Sequence, residues 1–168
     1  MHCYLIALGS NVRHARFGRP EQVLIEARDA LDAAGLIVEC AAPVIRSAPL
    51  GPSRRRYANS AALVLTELWP DELLVALKGI ERAFGRRRGG QRWSSRVLDL
   101  DIVLWSGGAW VSPGLLVPHR EFRVRDFVLR PAAMLAPAWR DPVTGLTIRQ
   151  LHRRLLRPRR SARPPHPA

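Results

Sequence analysis

The chain predicts an α+β fold, a split βαβ layer carrying an antiparallel sheet, on three observations. Its segments alternate as strand, helix, strand, strand, helix, strand. Both helical segments open on a proline and close on a glycine, Pro20 to Gly35 and Pro70 to Gly85. The last strand of the set, inside Arg92–Ile102 (RWSSRVLDLDI), alternates carboxylates with leucines.

Taken in order, residues 3–8 read as a buried strand that ends at the turn signal Gly9-Ser10-Asn11. A basic loop leads to Pro20. Val23, Ala27, Ala30, Leu31 and Ala34 then share one helical face. Residues 36–46 read as one long strand and Tyr57–Leu68 as another. In the second helix Asp71 and Glu72 occupy the first turn, where the helix dipole favours acids, and Leu73, Leu77, Ile80 and Phe84 keep helical spacing. The carboxylate strand runs to Trp105, and Gly107-Gly108 turns it into a short partner strand around Ala109–Val111. Helices follow at about 126–136 and 147–156. This order is the ferredoxin-like plan with extra C-terminal helices. Two long Gly/Pro/Arg-rich loops, 48–56 and 86–95, are expected to be mobile and to act as lids.

One domain is expected over 1–156. The tail 157–168, RPRRSARPPHPA, is basic, proline-rich and expected to be disordered. The charge is strongly positive: 27 basic against 14 acidic residues, net +13, and Lys78 is the one lysine. That balance favours polyanionic partners, from nucleotides to nucleic acid. Two cysteines, Cys3 and Cys40, make no disulfide framework and favour a reducing cytoplasm. No apolar run approaches the ~20 residues that span a bilayer, and no secretory leader is evident.

The chemistry concentrates on the carboxylate strand. Asp99 and Asp101 lie two apart, so both point to one face, while Leu98, Leu100, Ile102 and Leu104 point to the other, toward a core. Adjacent carboxylates repel unless a cation sits between them. Oxygen-only donors suit Mg²⁺, which normally keeps waters and substrate phosphates as ligands. Arg92 and Arg96 nearby could grip phosphate oxygens. A lone D-x-D is more often a solvated strand face, and the neighbours carry the case here. No G-x-x-x-x-G-K occurs, so phosphate binding does not come from a P-loop.

GSN (9–11), PLGP (49–52), Tyr57 with Asn59, Glu81 with Arg86, RW..R.LDLDI (92–102), and Pro118-His119 through Arg125 and Phe127 occur in one order. Over roughly residues 4–135 the chain resembles the 6-hydroxymethyl-7,8-dihydropterin pyrophosphokinase family of folate biosynthesis. The resemblance implies a ferredoxin-like fold and transfer of pyrophosphate from ATP to the pterin hydroxymethyl group, giving AMP. It implies two Mg²⁺ ions on Asp99 and Asp101. It makes Arg86, Arg96, Asp99 and Asp101 catalytic. It assigns ATP contacts to Lys78, Glu81, Arg86, Arg88, Arg92, Trp93, Arg96, Ile102, His119, Arg120 and Arg125. Pterin contacts fall to Ser47, Ala48, Leu50, Tyr57, Asn59, Trp93, Asp99 and Phe127, with Trp93 and Phe127 resembling the aromatic pair that sandwiches the ring. The implied partners are ATP and hydroxymethyl-dihydropterin, met by a cytoplasmic monomer, with neither membrane nor nucleic acid.

The chain departs from the usual pattern at Ser94-Ser95, where Gly-Pro is common, and at Lys78, Leu116 and Arg120. Those departures keep open a degenerate member that binds ATP with little turnover. A basic RNA-binding ferredoxin-like module is a further alternative. It predicts an RNP-like aromatic string that the sequence lacks. A metal-dependent nuclease would use the same carboxylates but leaves Asn59, Trp93 and Phe127 unexplained.

Overall fold

The structure is a computed structural model and describes residues 1–47, 57–85 and 97–157. The loops 48–56 and 86–95, Arg96 and the tail from Pro158 onward lie outside the described residues.

The element order is β1 (His2–Ser10), α1 (Pro20–Ala33), β2 (Ile37–Ala41), β3 (Ile45–Ser47), β4 (Tyr57–Thr66), α2 (Pro70–Ala83) and β5 (Asp99–Trp105). There follow β6 (Trp110–Ser112), β7 (Leu115–Val117), a 3₁₀ turn (Phe122–Val124), α3 (Asp126–Leu135) and α4 (Ile148–Leu156). The main sheet runs β2-β4-β1-β5, with β3 also on β4, and every pairing is antiparallel. β4 therefore sits between β1 and β2, which is the split that the segment order predicts.

Pro20 and Pro70 each start their helix, where a missing N–H costs nothing. Gly35 ends α1 with φ 78°, in the left-handed region that glycine enters freely. The apolar faces of α1 and α2 (Val23, Leu24, Ala27, Leu31; Leu73, Leu77, Ile80) pack on one side of the sheet, against Tyr4, Ile6, Leu8, Ala62 and Leu100. α3 and α4 cover part of the other side, where Leu5, Ala61, Leu104, Phe122, Leu129, Ile148 and Leu151 form a second core. Thr147 caps α4 by accepting from Gln150 N, and the Gln150 side chain accepts from Thr147 N.

The structure corrects three local expectations. Residues 36–46 form two strands rather than one, because Pro43 has no N–H to offer and the chain breaks between β2 and β3; both pieces still pair with β4. The strand around 109–111 is not a partner of β5: β6 pairs with β7 in a separate two-stranded sheet. Leu104 does not share a face with Leu98, Leu100 and Ile102. The ladder pairs Ile6 with Ile102 but Leu5 with Leu104, so Val103 is an inserted residue. That bulge reverses the alternation and sends Leu104 to the second core.

Candidate active site

Strand register places the candidate groups on the part of the sheet face that α3 and α4 leave open. In one row Asn59 of β4 lies opposite Gly9 of β1, and Gly9 lies opposite Asp99 of β5. In the next row Ala61, Ala7 and Asp101 are aligned. Two strand spacings separate Asn59 from Asp99, about 10 Å. The small residues Ala7 and Gly9 form the floor between them. A Cβ built on Gly9 would stand 3.6 Å from Asn59 Oδ1, so the floor there is as low as a backbone allows.

A cavity of about 240 Å³ opens above this floor. It is lined by Ser47, Tyr57, Asn59, Asp99, Asp101, His119, Arg125 and Phe127, together with Ala7, Gly9, Ser10, Asn11 and Ser60. Eight residues singled out in the sequence thus meet at one place, although they come from β3, β4, β5, the segment that follows β7, and α3.

Several contacts fix the geometry. Asn59 Nδ2 donates to Ser47 Oγ at 2.8 Å, which orients the amide. Burial pushes the Asp101 carboxyl above its ordinary value, and the charge of Asp99 adds to that shift. His119 Nε2 stands 4.0 Å from Asp101 Oδ2. Its Nδ1 accepts from Glu121 N at 3.2 Å, which leaves the ring proton of the neutral imidazole on Nε2, the nitrogen facing the carboxylate. His119 N donates to Val103 O at 3.0 Å, tying the segment after β7 to the carboxylate strand.

Arg125 enters the cavity from the end of the 3₁₀ turn, its guanidinium carbon 5.8 Å from the Phe127 ring centre. The turn is held from behind. Arg123 donates two bonds of 2.7 Å to Asp141, whose carboxylate is fully buried and also accepts from Thr144 Oγ1 and Val143 N. Burial alone would raise the Asp141 pKa. The donors outweigh it, led by Arg123, and the group titrates below the usual carboxylate range.

Other candidates sit outside the cavity. Glu81 is fully buried on the helical side; one oxygen accepts from Leu100 N and from Lys78 Nζ, both at 2.8 Å. Lys78 is therefore paired on α2, close enough to help stabilise the Asp101 carboxylate. Ile102 is buried in the first core. Arg120 follows His119 and does not line the cavity. Ala48, Leu50, Arg86, Arg88, Arg92, Trp93, Ser94, Ser95 and Arg96 lie outside the described residues. Sequence reasoning missed Ala7 as part of the floor and read Gly9 as a turn signal and part of the GSN motif, not as floor. The available clue was two small residues alternating with Ile6 and Leu8 in a strand.

Residues 5–137 match the family model described as 7,8-dihydro-6-hydroxymethylpterin-pyrophosphokinase. The chain belongs to this pyrophosphokinase family. The 2-amino-4-hydroxy-6-hydroxymethyldihydropteridine pyrophosphokinase of Pseudomonas aeruginosa is 41% identical over 138 residues, covering 82% of this chain and 82% of that protein. The Synechocystis protein of the same name is 40% identical over 118 residues, 70% of this chain. The match spans only 60% of the length of that cyanobacterial relative. Among solved structures, wild-type Plasmodium falciparum HPPK-DHPS with pteroate superposes over 91% of this chain and 42% of its own, with TM-score 0.69 and 13% identity. An HPPK-DHPS in complex with substrates gives TM-score 0.72 at 10% identity, over 91% of this chain and 43% of that one. These structural likenesses establish the fold. Among the described residues no helix is long and apolar enough to cross a membrane.

Proposed function

We propose that this family member transfers pyrophosphate from ATP to the hydroxymethyl group of 6-hydroxymethyl-7,8-dihydropterin, giving AMP and the pterin diphosphate, in folate biosynthesis. One observation carries the reading: an amide, a glycine floor and a carboxylate lie in a single register row, with a second carboxylate beside them in the same cavity. A flat bicyclic ring fits over Gly9, its amide-like edge toward Asn59 and its hydroxymethyl arm toward the aspartates. Asn59 offers both a donor and an acceptor for such an edge. Phe127 offers a ring face, and Trp93 supplies the second face in this assignment. Tyr57 and Ser47 close the wall, to which the resemblance also assigns Ala48 and Leu50.

The donor set fits Mg²⁺. Asp99 and Asp101 supply oxygens on one strand face, and burial with mutual repulsion disfavours both being ionised without a cation. Among the described residues no cluster of three or more His, Cys, Asp and Glu forms a closed metal cage. Two carboxylates completed by substrate phosphates suit an ion that keeps open positions. Bound there, such ions supply charge neutralisation at phosphate oxygens and acidify a coordinated hydroxyl.

In the reaction a bond forms between the pterin hydroxyl oxygen and the β-phosphorus of ATP. The bond from that phosphorus to the α–β bridging oxygen breaks, and this oxygen leaves with AMP. The hydroxyl proton passes to solvent. Arg125 and His119 Nε2–H face the charge that accumulates, and Arg86, Arg88, Arg92 and Arg96 are assigned to the same phosphates. The resemblance assigns the nucleotide side to Lys78 and Glu81 on α2, Ile102 on β5 and Arg120 after His119. A monomer acting in the cytoplasm completes this reading. An RNA-binding use is disfavoured, because two carboxylates occupy the open sheet face that would meet the polyanion.

Incubation of the purified chain with Mg²⁺, ATP and 6-hydroxymethyl-7,8-dihydropterin, followed by separation of the nucleotides, tests the proposal. AMP that requires both pterin and Mg²⁺ is the expected result. ADP in place of AMP overturns it, and bound ATP without turnover would mark a degenerate member.

A further inference from the structure

The β6–β7 hairpin lies outside the main sheet, and a two-stranded ribbon is at best marginally stable alone. Its position must come from what it touches. β7 is held by Leu115 and Val117, which enter the first core. β6 is held differently. Asp71 in the first turn of α2 accepts from Trp110 Nε1 at 3.1 Å through one carboxylate oxygen and from Ser112 Oγ through the other. Trp110 also packs against Trp69 and Trp105, with ring centres 5.9 and 5.6 Å away. Val111, between the two bonded residues, is exposed.

The same helix that grips the hairpin carries Lys78 and Glu81 two and three turns further on, and Glu81 binds the carboxylate strand at Leu100 N. The chain leaving the hairpin passes through Pro118 directly to His119, 4.0 Å from Asp101. α2 reaches the edge of the carboxylate strand from the helical side through Glu81, and the segment after β7 reaches Asp101 from the cavity side. These are the two walls of that strand, and Asp71 joins the elements that bear them.

We infer that Asp71 is a positioning residue for ATP: by clamping β6 to α2 it sets the separation of the two walls of the nucleotide side. The inference rests on the function proposed above. Asp71 itself touches no reacting group. Losing the clamp frees β6 and loosens its ladder with β7, which leaves the spacing of His119 and Lys78 to the Leu115 and Val117 anchors and the His119 N–Val103 O bond alone, while the Asn59–Gly9–Asp99 row is held by the main sheet and stays in place. The affected quantity is nucleotide affinity, not pterin affinity.

The test is direct binding to the intact chain. A non-hydrolysable ATP analogue with Mg²⁺, and separately the pterin, are titrated calorimetrically into the wild type, Asp71→Ala and Trp110→Phe. The last variant removes one donor and leaves α2 untouched. Hydrogen exchange of residues 110–119 is followed in parallel. The expected result is analogue affinity weakened about 5- to 20-fold in Asp71→Ala, the scale of losing one or two hydrogen bonds. Trp110→Phe should weaken it by less, pterin affinity should hold within about twofold, and exchange should quicken across 110–119. Asp71→Asn keeps one acceptor oxygen and should fall between wild type and alanine. Unchanged analogue affinity in Asp71→Ala overturns the inference, as does an equal loss for both ligands, which would mean general loosening. A folded wild type that binds no analogue overturns the proposed function itself, and the inference with it.

Discussion

Strands β1 and β5 are built alike and end differently. At one end Tyr4 and Trp105 join His2, Trp69 and Trp110 in a packed aromatic cluster, with Trp69 to Trp105 ring centres 5.9 Å apart. At the other end Ala7, Gly9, Asp99 and Asp101 line a cavity. Hydrogen bonding along the β1–β5 pair continues through both ends. The contrast lies in side-chain volume, and it teaches that this fold makes its site by withholding bulk at a few strand positions. The filled end supplies rigidity, and the open end spends it on groups that are expensive to bury.

The largest expected effect breaks the open end. Asp99→Ala or Asp101→Ala should lower AMP formation by about 10³-fold or more, the scale of losing preorganised charge stabilisation, with the fold retained by circular dichroism. Turnover within tenfold of wild type would remove the metal assignment.

Next comes the support behind the cavity. Asp141→Ala leaves the Arg123 guanidinium without its carboxylate and should cost about 3–5 kcal/mol in denaturant unfolding. The sign with pH follows from the lowered folded-state pKa. The stabilisation is full above the unfolded carboxylate value and is lost as pH falls through the folded one. Wild type should therefore lose stability on acidification more steeply than Asp141→Ala. Parallel pH curves for the two proteins would contradict this account.

The filled end is probed by Gly107→Ala. A Cβ there would fall 2.3 Å from the Trp105 ring, which is itself wedged in the aromatic cluster. Overpacking of this kind should cost about 1–3 kcal/mol in unfolding free energy and leave kcat unchanged. A fall in kcat at full occupancy of the folded state would mean that the two ends are coupled. The smallest effect sharpens the open end: Asn59→Ala should raise the KM for pterin by about tenfold and leave that for ATP alone, as expected for one lost recognition group. Equal changes in both would place Asn59 in the scaffold.

Much of this contrast was legible in the sequence. Pro20, Gly35, Pro70 and Gly85 mark helix ends by backbone chemistry that context rarely overrides. The D-x-D spacing puts Asp99 and Asp101 on one face because a strand alternates. The family resemblance assigned Ser47, Tyr57, Asn59 and Phe127 to the pterin and His119 and Arg125 to ATP, and all six line one cavity. What stayed hidden depends on partner strands. The bulge at Val103 exists only in the register with β1, so nothing local warns that Leu104 changes face. β6 chooses β7 over β5 through the Pro113-Gly114 turn, which was available to the eye but competed with Gly107-Gly108. The floor at Ala7 and Gly9 was missed because a small residue announces nothing about what is absent above it.

The Glu81 carboxylate has a consequence for how molecules of this protein meet one another. Among the described residues β5 is the last strand on its side of the sheet, and a strand edge left unpaired invites the edge of another molecule. Leu100 N, between the two aspartates, would be one of the donors on offer, and Glu81 already occupies it. A second chain could add there only by displacing a fully buried acid. The residue thus guards the sheet against self-templated growth beside the very strand whose side chains must remain open to small molecules.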